Sequence, residues 1–397
     1  MNLSYRKPLL LSAVALLILV VGVLAYGVYS AQLETRITEC EVAGDRKEQC
    51  FQELILEQTA LRGVSAGLDL AAILYGRNPA FAESCHGNMH EIGAEAYRQF
   101  STQGRFDLSP KTSYCGFGFY HGFMESLLAE RGDFSEAVRF CSYVDEELSG
   151  TAEGVPFACY HGIGHGAVDG SDPAAWDDAQ KYIAPALAIC EKLGTEDQYK
   201  ERCGSGVFNA LAVAYVNPKY RLGANPADPF AICRMQETDY FRRACYDQMN
   251  TYVVKTSATF LEAVDKAVTT SDSRYTIFAL RGVGWYAGYQ ILSAKEDPVF
   301  YLEDCNLIRG DLRETCVESV ATGLIEFGKP GEEYTLALEA CRRSPAPTVS
   351  ACFRGVELSA RDRLDFRGRE RVCADIEAVA RGGVEGQKCR ALMERDF

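Results

Sequence analysis

The sequence predicts an all-α protein, in which a single N-terminal transmembrane helix is followed by a solenoid-like ectodomain of disulfide-stapled helical hairpins. Three observations predict this class: an apolar run over residues 8–29, sixteen cysteines in close pairs, and apolar residues that recur at spacings of three and four. Strand patterns are scarce. The hydrophobic content of 47% and the charged content of 24% are typical of a globular chain and exclude a largely disordered one.

The first element is the apolar run, which is uncharged and 22 residues long. A helix of this length can cross a bilayer core of about 30 Å, whereas a cleaved signal peptide has an apolar region of about 7–15 residues. Arg6 and Lys7 precede the run, and positive charge on a short flank favours the cytoplasmic side. We therefore predict a single-pass signal-anchor held in the membrane by residues 8–29. Residues 1–7 would be cytoplasmic, and the bulk of the chain would be periplasmic or extracellular.

The cysteines follow the anchor at regular intervals. Their even number and the absence of any CxxC pair favour structural disulfides in an oxidising compartment over a cysteine-ligated metal cluster. A disulfide between neighbours in sequence can clamp the corner between one helix and the next. The predicted pairs are Cys40/Cys50, Cys85/Cys115, Cys141/Cys159, Cys190/Cys203, Cys233/Cys245, Cys305/Cys316, Cys341/Cys352 and Cys373/Cys389.

The sequence around these pairs recurs as a helix end, a polar turn and a further helix, which is typical of helical-hairpin arrays. None of the residue signatures of known helical-repeat families is present. Residues 217–230 form the longest irregular stretch. We predict that this linker separates a histidine-bearing half, residues 30–216, from a histidine-free half, residues 231–397.

The histidines are confined to the first half, and each lies within six residues after a cysteine: His86, His90, His121, His161 and His165. Residues four apart share one face of a helix, so the two HxxxH pairs can each point in one direction. Three neighbouring helices could then bring all five imidazoles to one point. Such a set suits Zn, Cu or Fe, and the spacing predicts a transition-metal site with all five histidines as ligands. His161 and His165 are the strongest candidates, and His121 is the weakest.

Carboxylates accompany the histidines and are the candidate catalytic residues. Glu91 follows His90, Glu125 lies four residues after His121, and Asp169 follows the last pair. Either glutamate could move a proton at a metal-bound water. The HExxH arrangement of zinc proteases is absent, because the acid in "HGNMHE" follows the second histidine.

The glycines between these histidines are poor helix formers, at about 1 kcal/mol each relative to alanine. Two explanations fit "CGFGFYHG" and "HGIGHG". Glycine permits helices or a ligand to approach the backbone closely. Alternatively, these segments are loops that lead into helix N-termini, where exposed N–H groups favour an anion.

Three functions are compatible with these observations. The protein could be a metal-dependent enzyme that activates water or oxygen, or a non-catalytic metal-binding or delivery protein. It could instead be a helical-repeat scaffold that binds another protein, with histidines that only pack. The net charge of −14 and the lack of a basic face disfavour nucleic acid as a partner.

Overall fold

The computed structural model describes residues 6–132, 134–148, 151–168, 173–194, 196–380 and 384–393. The regular structure in these ranges is helical and contains no strand, which confirms the all-α prediction. Short 3-10 helices lie at Gly44–Arg46, Pro110–Ser113, Pro173–Ala175 and Ala346–Thr348. The α-helices are α1 (Arg6–Glu41), α2 (Lys47–Arg62), α3 (Val64–Arg77), α4 (Pro79–Gln103), α5 (Tyr114–Arg131), α6 (Phe134–Leu148), α7 (Val155–Val168), α8 (Ala179–Cys190), α9 (Asp197–Val216), α10 (Ala231–Arg234), α11 (Asp239–Gln248), α12 (Asn250–Lys255), α13 (Phe260–Thr270), α14 (Thr276–Ala294), α15 (Pro298–Asn306), α16 (Asp311–Glu326), α17 (Tyr334–Arg343), α18 (Val349–Arg363), α19 (Phe366–Val379) and α20 (Val384–Met393).

The predicted transmembrane anchor is wrong. Residues 8–29 do not form a separate helix but lie within α1, which continues through polar sequence to Glu41. A membrane span needs about 20 consecutive, predominantly apolar residues. Among the residues that the structure describes, no helix combines the length and the apolar character needed to cross a bilayer. The single-pass localisation and the membrane contact through residues 8–29 are corrected accordingly, and residues 1–5 lie outside the described part of the chain.

The chain divides into two compact units, Met1–Glu57 and Gln58–Phe397. In the first unit, the Cys40–Cys50 disulfide joins α1 to the start of α2, and Arg36 forms an ion pair with Glu57 at 2.5 Å. The second unit contains the rest of the helices. The predicted linker at 217–230 falls between α9 and α10, and the division into two halves at that point stays a prediction.

All sixteen cysteines form disulfides, and the predicted pairs are confirmed. The Cα–Cα distances of 5.3–5.8 Å are ordinary for disulfides. Seven bridges join the two helices of a hairpin, as expected. The Cys85–Cys115 bridge differs, because it joins α4 to α5, two long helices that run side by side.

Eight helices of the second unit pack in series: α4, α5, α7, α9, α11, α14, α16 and α18. We call them the main row. Neighbours in this row run parallel, because the contacting residue numbers rise together on both helices: Gly118 meets His86, and Gly122 meets His90. Helices α6, α8, α13, α15 and α17 pack against the row, so the hairpins between α6 and α18 each contribute one helix to it.

Glycines allow the helices of the row to approach closely. A Cβ added at Gly122 would lie 1.9 Å from the carbonyl oxygen of His90, and one at Gly206 would lie 2.0 Å from that of His161. A Cβ cannot occupy either position, so only glycine fits at this separation. Of the two explanations for the glycine-rich motifs, the structure supports close helix packing.

In helix α7, the glycines of "HGIGHG" allow close packing against two neighbouring helices. At 3.6 residues per turn, Gly162 and Gly166 share one face and contact the backbone of α5. Gly164 lies on another face and contacts a carbonyl of α9. The face between them carries His161 and His165. Close packing on two sides therefore leaves the histidines on one shared face.

The main row curves until its two ends meet. The hydroxyl of Tyr75 donates to the carbonyl of Phe327 at 2.8 Å, and the amide of Gly154 donates to the carbonyl of Asp362 at 2.9 Å. The guanidinium of Arg363, buried and paired with Glu326, lies over an aromatic ring of α5. The histidine-bearing helices are thus packed against the last helices of the row.

Candidate metal centre

Three consecutive helices of the main row position the histidines. Helix α4 carries His86 and His90, α5 carries His121, and α7 carries His161 and His165. Ring centroids lie 5.0 Å apart for His86 and His90, 5.0 and 5.1 Å from these two to His121, and 5.1 and 4.1 Å from His121 to His161 and His165. The five rings therefore form one continuous histidine cluster, with His121 at its centre.

The cluster contains two groups of three histidines that share His121. In each group, one nitrogen from every ring lies within 4.8 Å of the others. The rings of His86, His90 and His121 cross at 63–85°, so their in-plane lone pairs can converge. His121 instead stacks on His161 and His165 at 25° and 20°. The geometry therefore favours the first group as the primary site for an ion.

Hydrogen bonds fix the tautomers of His86 and His90. Nδ1 of His86 lies 2.8 Å from the carbonyl oxygen of Cys115, and Nδ1 of His90 lies 3.1 Å from Oε2 of Glu125. Carbonyl and carboxylate oxygens only accept, so Nδ1 carries the proton in both rings and each Nε2 keeps its lone pair. The two Nε2 atoms lie 3.2 Å apart. Two nitrogens bound to one tetrahedral zinc at about 2.05 Å are about 3.3 Å apart. The pair is thus spaced like two ligands of one ion.

His121 has an unsatisfied nitrogen at the centre of the cluster. Its side chain is buried, with 5% of the residue exposed, and its Nδ1 has no hydrogen-bond partner among the residues that the structure describes. A buried polar atom without a partner costs about 1–3 kcal/mol, so such atoms need an explanation. Coordination to a metal ion would satisfy this nitrogen.

His161 and His165 are oriented by residues of α9. The hydroxyl of Ser205 donates to the carbonyl of Arg202 at 2.6 Å, so it accepts from Nδ1 of His161, 2.7 Å away. Oδ1 of Asn209 accepts from Nε2 of His165 at 2.8 Å. The opposite nitrogen of each ring keeps its lone pair. Four of the five histidines thus donate one N–H to a protein acceptor, as metal-ligating histidines almost always do.

The start of α5 is strained where it meets the cluster. Cys115, Gly116 and Phe117 have φ values of 51°, 74° and 59°, in the left-handed region. Such conformations cost about 1–3 kcal/mol in residues other than glycine and cluster at functional sites. This turn presents the Cys115 carbonyl to His86. A Cβ at Gly116 would lie 3.3 Å from His86 Nδ1, so the turn also fits closely around the ring.

The charge states suit metal binding. Burial lowers the pKa of His86 to about 3 and that of His165 to about 4, and the neighbouring histidines add to the effect. Burial also holds the pKa values of His121 and His161 well below their ordinary range. Burial alone would raise the pKa of Glu125, but its hydrogen bond from a neighbouring imidazole and the nearby histidine charges outweigh it, so the pKa is lowered. These four imidazoles are neutral at pH 7, the form that binds metal, and Glu125 is an anion.

The two candidate glutamates differ in their contacts with the histidine cluster. Glu125 contacts the cluster through His90, and the exposed fraction of each side chain is 27%. Glu91 follows His90 by one residue, about 100° around the helix, and makes no hydrogen bond to any of the five rings in the described part of the chain. The catalytic roles of both residues stay predictions. Asp169 lies outside the described residues.

We expect replacement of Glu125 by glutamine to weaken metal binding by about 10–100-fold, because the variant loses the negative charge beside His90 and its amide can turn either an oxygen or an NH₂ group toward Nδ1, so it no longer fixes the tautomer. Competition against a chromophoric chelator measures this change. Glu91→Gln is the matched control, and its affinity should stay within about twofold of wild type. Equal effects of the two substitutions would contradict the assignment of Glu125 as the partner of His90.

Residues of the histidine-free helices complete the site, and the sequence offered a signal for them. Ser205 and Asn209 lie two and six residues after Cys203, as His161 and His165 lie after Cys159. The number of residues after the cysteine therefore predicts that Ser205 and Asn209 occupy the helix positions of the histidines. This spacing does not predict that the two side chains accept hydrogen bonds from the histidines of the preceding helix.

A pocket lies beside the cluster, where the ends of the main row meet. It is lined by His86 together with aromatic residues, among them Tyr75, Tyr289 and Phe327, and with Lys295. Solvent or a small ligand in this pocket would lie next to one of the candidate ligands.

Comparisons with family models, with curated proteins and with solved structures find no match to this chain. The functional argument therefore rests on the geometry of the site.

Proposed function

We propose that this protein binds a transition-metal ion through His86, His90 and His121, next to a second group formed by His121, His161 and His165. The main observation behind the proposal is which ring nitrogens of the cluster donate a hydrogen bond and which keep a lone pair. Four histidines donate one N–H to Cys115 O, Glu125, Ser205 or Asn209 and keep a lone pair on the other nitrogen, while the buried Nδ1 of His121 has no partner in the described part of the chain. Packing alone does not require this arrangement.

The ligand atoms limit which metal ions can bind, and the disulfides indicate the compartment. All sixteen cysteines are in disulfides, so cysteine thiolates are excluded as ligands, and the clustered donors are imidazole nitrogens, which suit Zn, Cu or Fe. The eight bridges support an oxidising compartment outside the cytosol.

A more specific proposal is that the ion activates water or oxygen. Three histidine ligands leave a coordination position open, as in catalytic zinc sites. The pocket beside His86 and the anionic Glu125, hydrogen-bonded to His90, support an enzyme over a protein that only stores metal. The substrate is not specified by these residues.

Titration of the chelator-stripped, untagged protein with Zn²⁺, Co²⁺ and Cu²⁺, and with Fe²⁺ under anaerobic conditions, tests the proposal. We expect at least one tightly bound equivalent of one of these ions. The double substitution His86→Asn and His90→Asn should remove the tight equivalent while the far-ultraviolet circular dichroism stays that of wild type. Less than a tenth of an equivalent of every ion in the folded wild type would overturn the proposal and leave the histidines as packing residues of a scaffold.

A further inference from the structure

The hydrogen bonds of the cluster continue beyond His165 into the helices without histidine. Nδ2 of Asn209 donates to Oε1 of Gln248 at 3.0 Å, and Nε2 of Gln248 donates to Oδ2 of Asp247 at 2.8 Å. With the bond from His165 to Asn209, three hydrogen bonds run in sequence from α7 through α9 to the end of α11. We call this sequence of contacts the amide chain.

Asp247, the last residue of the amide chain, sets the direction in which the hydrogen bonds are donated. A carboxylate can only accept, so Gln248 must turn its NH₂ group toward Asp247 and its oxygen toward Asn209. Asn209 then donates to that oxygen with its own NH₂ group and turns its oxygen toward His165. An oxygen facing Nε2 of His165 requires a proton on that nitrogen, which leaves the lone pair on Nδ1.

Asp247 lies at the end of the amide chain and accepts from Gln248. Its pKa is raised, chiefly by burial, and the charges of Arg281 and Arg202 and the hydrogen bond from Gln248 offset only part of the rise. The carboxylate does not contact any histidine directly, and it plays no part in the primary metal site described above.

We propose that Asp247 is a positioning residue that sets the tautomer of His165 through Gln248 and Asn209. The residue thereby fixes which nitrogen of His165 faces an ion. The relevance to metal binding rests on the proposed function, but the tautomer is a property of the metal-free protein and can be measured without an ion.

Reversing the polarity of the chain tests the proposal. In the Gln248→Lys variant, the ammonium group can only donate, to Asp247 on one side and to Asn209 on the other. Asn209 must then turn its oxygen to the lysine and its NH₂ group to His165, which forces the proton of His165 onto Nδ1. The comparison variant is Gln248→Met, which has a similar length but lacks both hydrogen bonds of the glutamine amide, so it cuts the link between Asp247 and Asn209 without reversing it.

The measurement is the ¹⁵N chemical shift of the His165 ring nitrogens in the full, metal-free chain labelled at histidine, at pH 7. We expect Nε2 to be protonated in wild type, a mixture of both tautomers in Gln248→Met, in which Asp247 no longer orients Asn209, and Nδ1 to be protonated in Gln248→Lys. We also expect metal affinity to fall by about 10–100-fold in Gln248→Lys relative to Gln248→Met.

Two results would overturn the proposal. The first is a proton on Nδ1 of His165 in wild type, a test that needs no variant to fold. The second is an unchanged tautomer in a folded Gln248→Lys or Gln248→Met protein. Failure of the metal titration with the expected tautomers in place would refute the proposed function and leave this inference intact.

Discussion

Replacing His121 by alanine is expected to abolish tight metal binding, with a loss in affinity of about 100-fold or more. Loss of a group that only hydrogen-bonds to a metal ligand already costs about 10–100-fold in affinity, and His121 is the histidine that both groups share. The ring of His121 crosses the rings of His86 and His90 at steep angles, so His121 completes the primary site. Competitive titration against a chelator measures the loss. The folded state should survive, because the substitution also removes a buried nitrogen that has no partner.

His161→Ala is the matched control, because it also removes an imidazole from the cluster but leaves the first group complete. We expect it to keep the tight equivalent and to lower its affinity by about tenfold or less. Equal loss in the two variants would contradict the assignment of the primary site to His86, His90 and His121. Tight binding by His121→Ala itself would contradict any central role for this residue.

The Gly122→Ala substitution is expected to destabilise the protein by about 3 kcal/mol or more. The added Cβ would lie 1.9 Å from the carbonyl oxygen of His90 and 2.5 Å from its Cα, so two backbones would have to separate. Overpacking a core costs about 1–3 kcal/mol, and a clash between backbones lies at or above the upper end. Chemical denaturation with the disulfides intact measures the free energy of unfolding. Separation of α4 and α5 would also displace the Nε2 atoms of the metal centre.

Gly87→Ala is the control for this effect. Gly87 lies in α4 beside His86, and an added Cβ there would meet nothing within 4 Å. Since alanine is the better helix former, we expect stabilisation of up to about 1 kcal/mol. If both substitutions changed stability by similar amounts, close packing would not be the reason for glycine in these helices.

Features set by local sequence spacing were predictable. The eight disulfides could be predicted because each cysteine lies near its partner in sequence, which makes neighbour pairing the simplest choice. The convergence of the histidines could also be predicted, since residues at fixed distances after a cysteine occupy equivalent places on parallel helices. The weak rank given to His121 came from the lack of a second histidine four residues away. In the structure its partners come from the helices on either side, and not from its own helix.

Features set by contacts distant in sequence were not predictable. The closure of the main row depends on pairs such as Tyr75 and Phe327, which are 252 residues apart. The acceptor for His86 is the backbone carbonyl of Cys115, which the left-handed turn presents to the ring. No residue pattern in the sequence predicts this turn. The anchor was predicted from the length of an uncharged apolar run and the basic residues before it, and these criteria did not consider that the helix continues through polar sequence to Glu41.

X-ray absorption at the edge of the bound metal tests the central claim most directly, because it reports the ligands of the ion itself. For the zinc-loaded protein we predict a first shell of nitrogen at about 2.0–2.1 Å, with outer-shell scattering from at least three imidazoles and no sulfur at about 2.3 Å. A spectrum with fewer than two imidazoles, or with oxygen ligands alone, would contradict the metal centre described above.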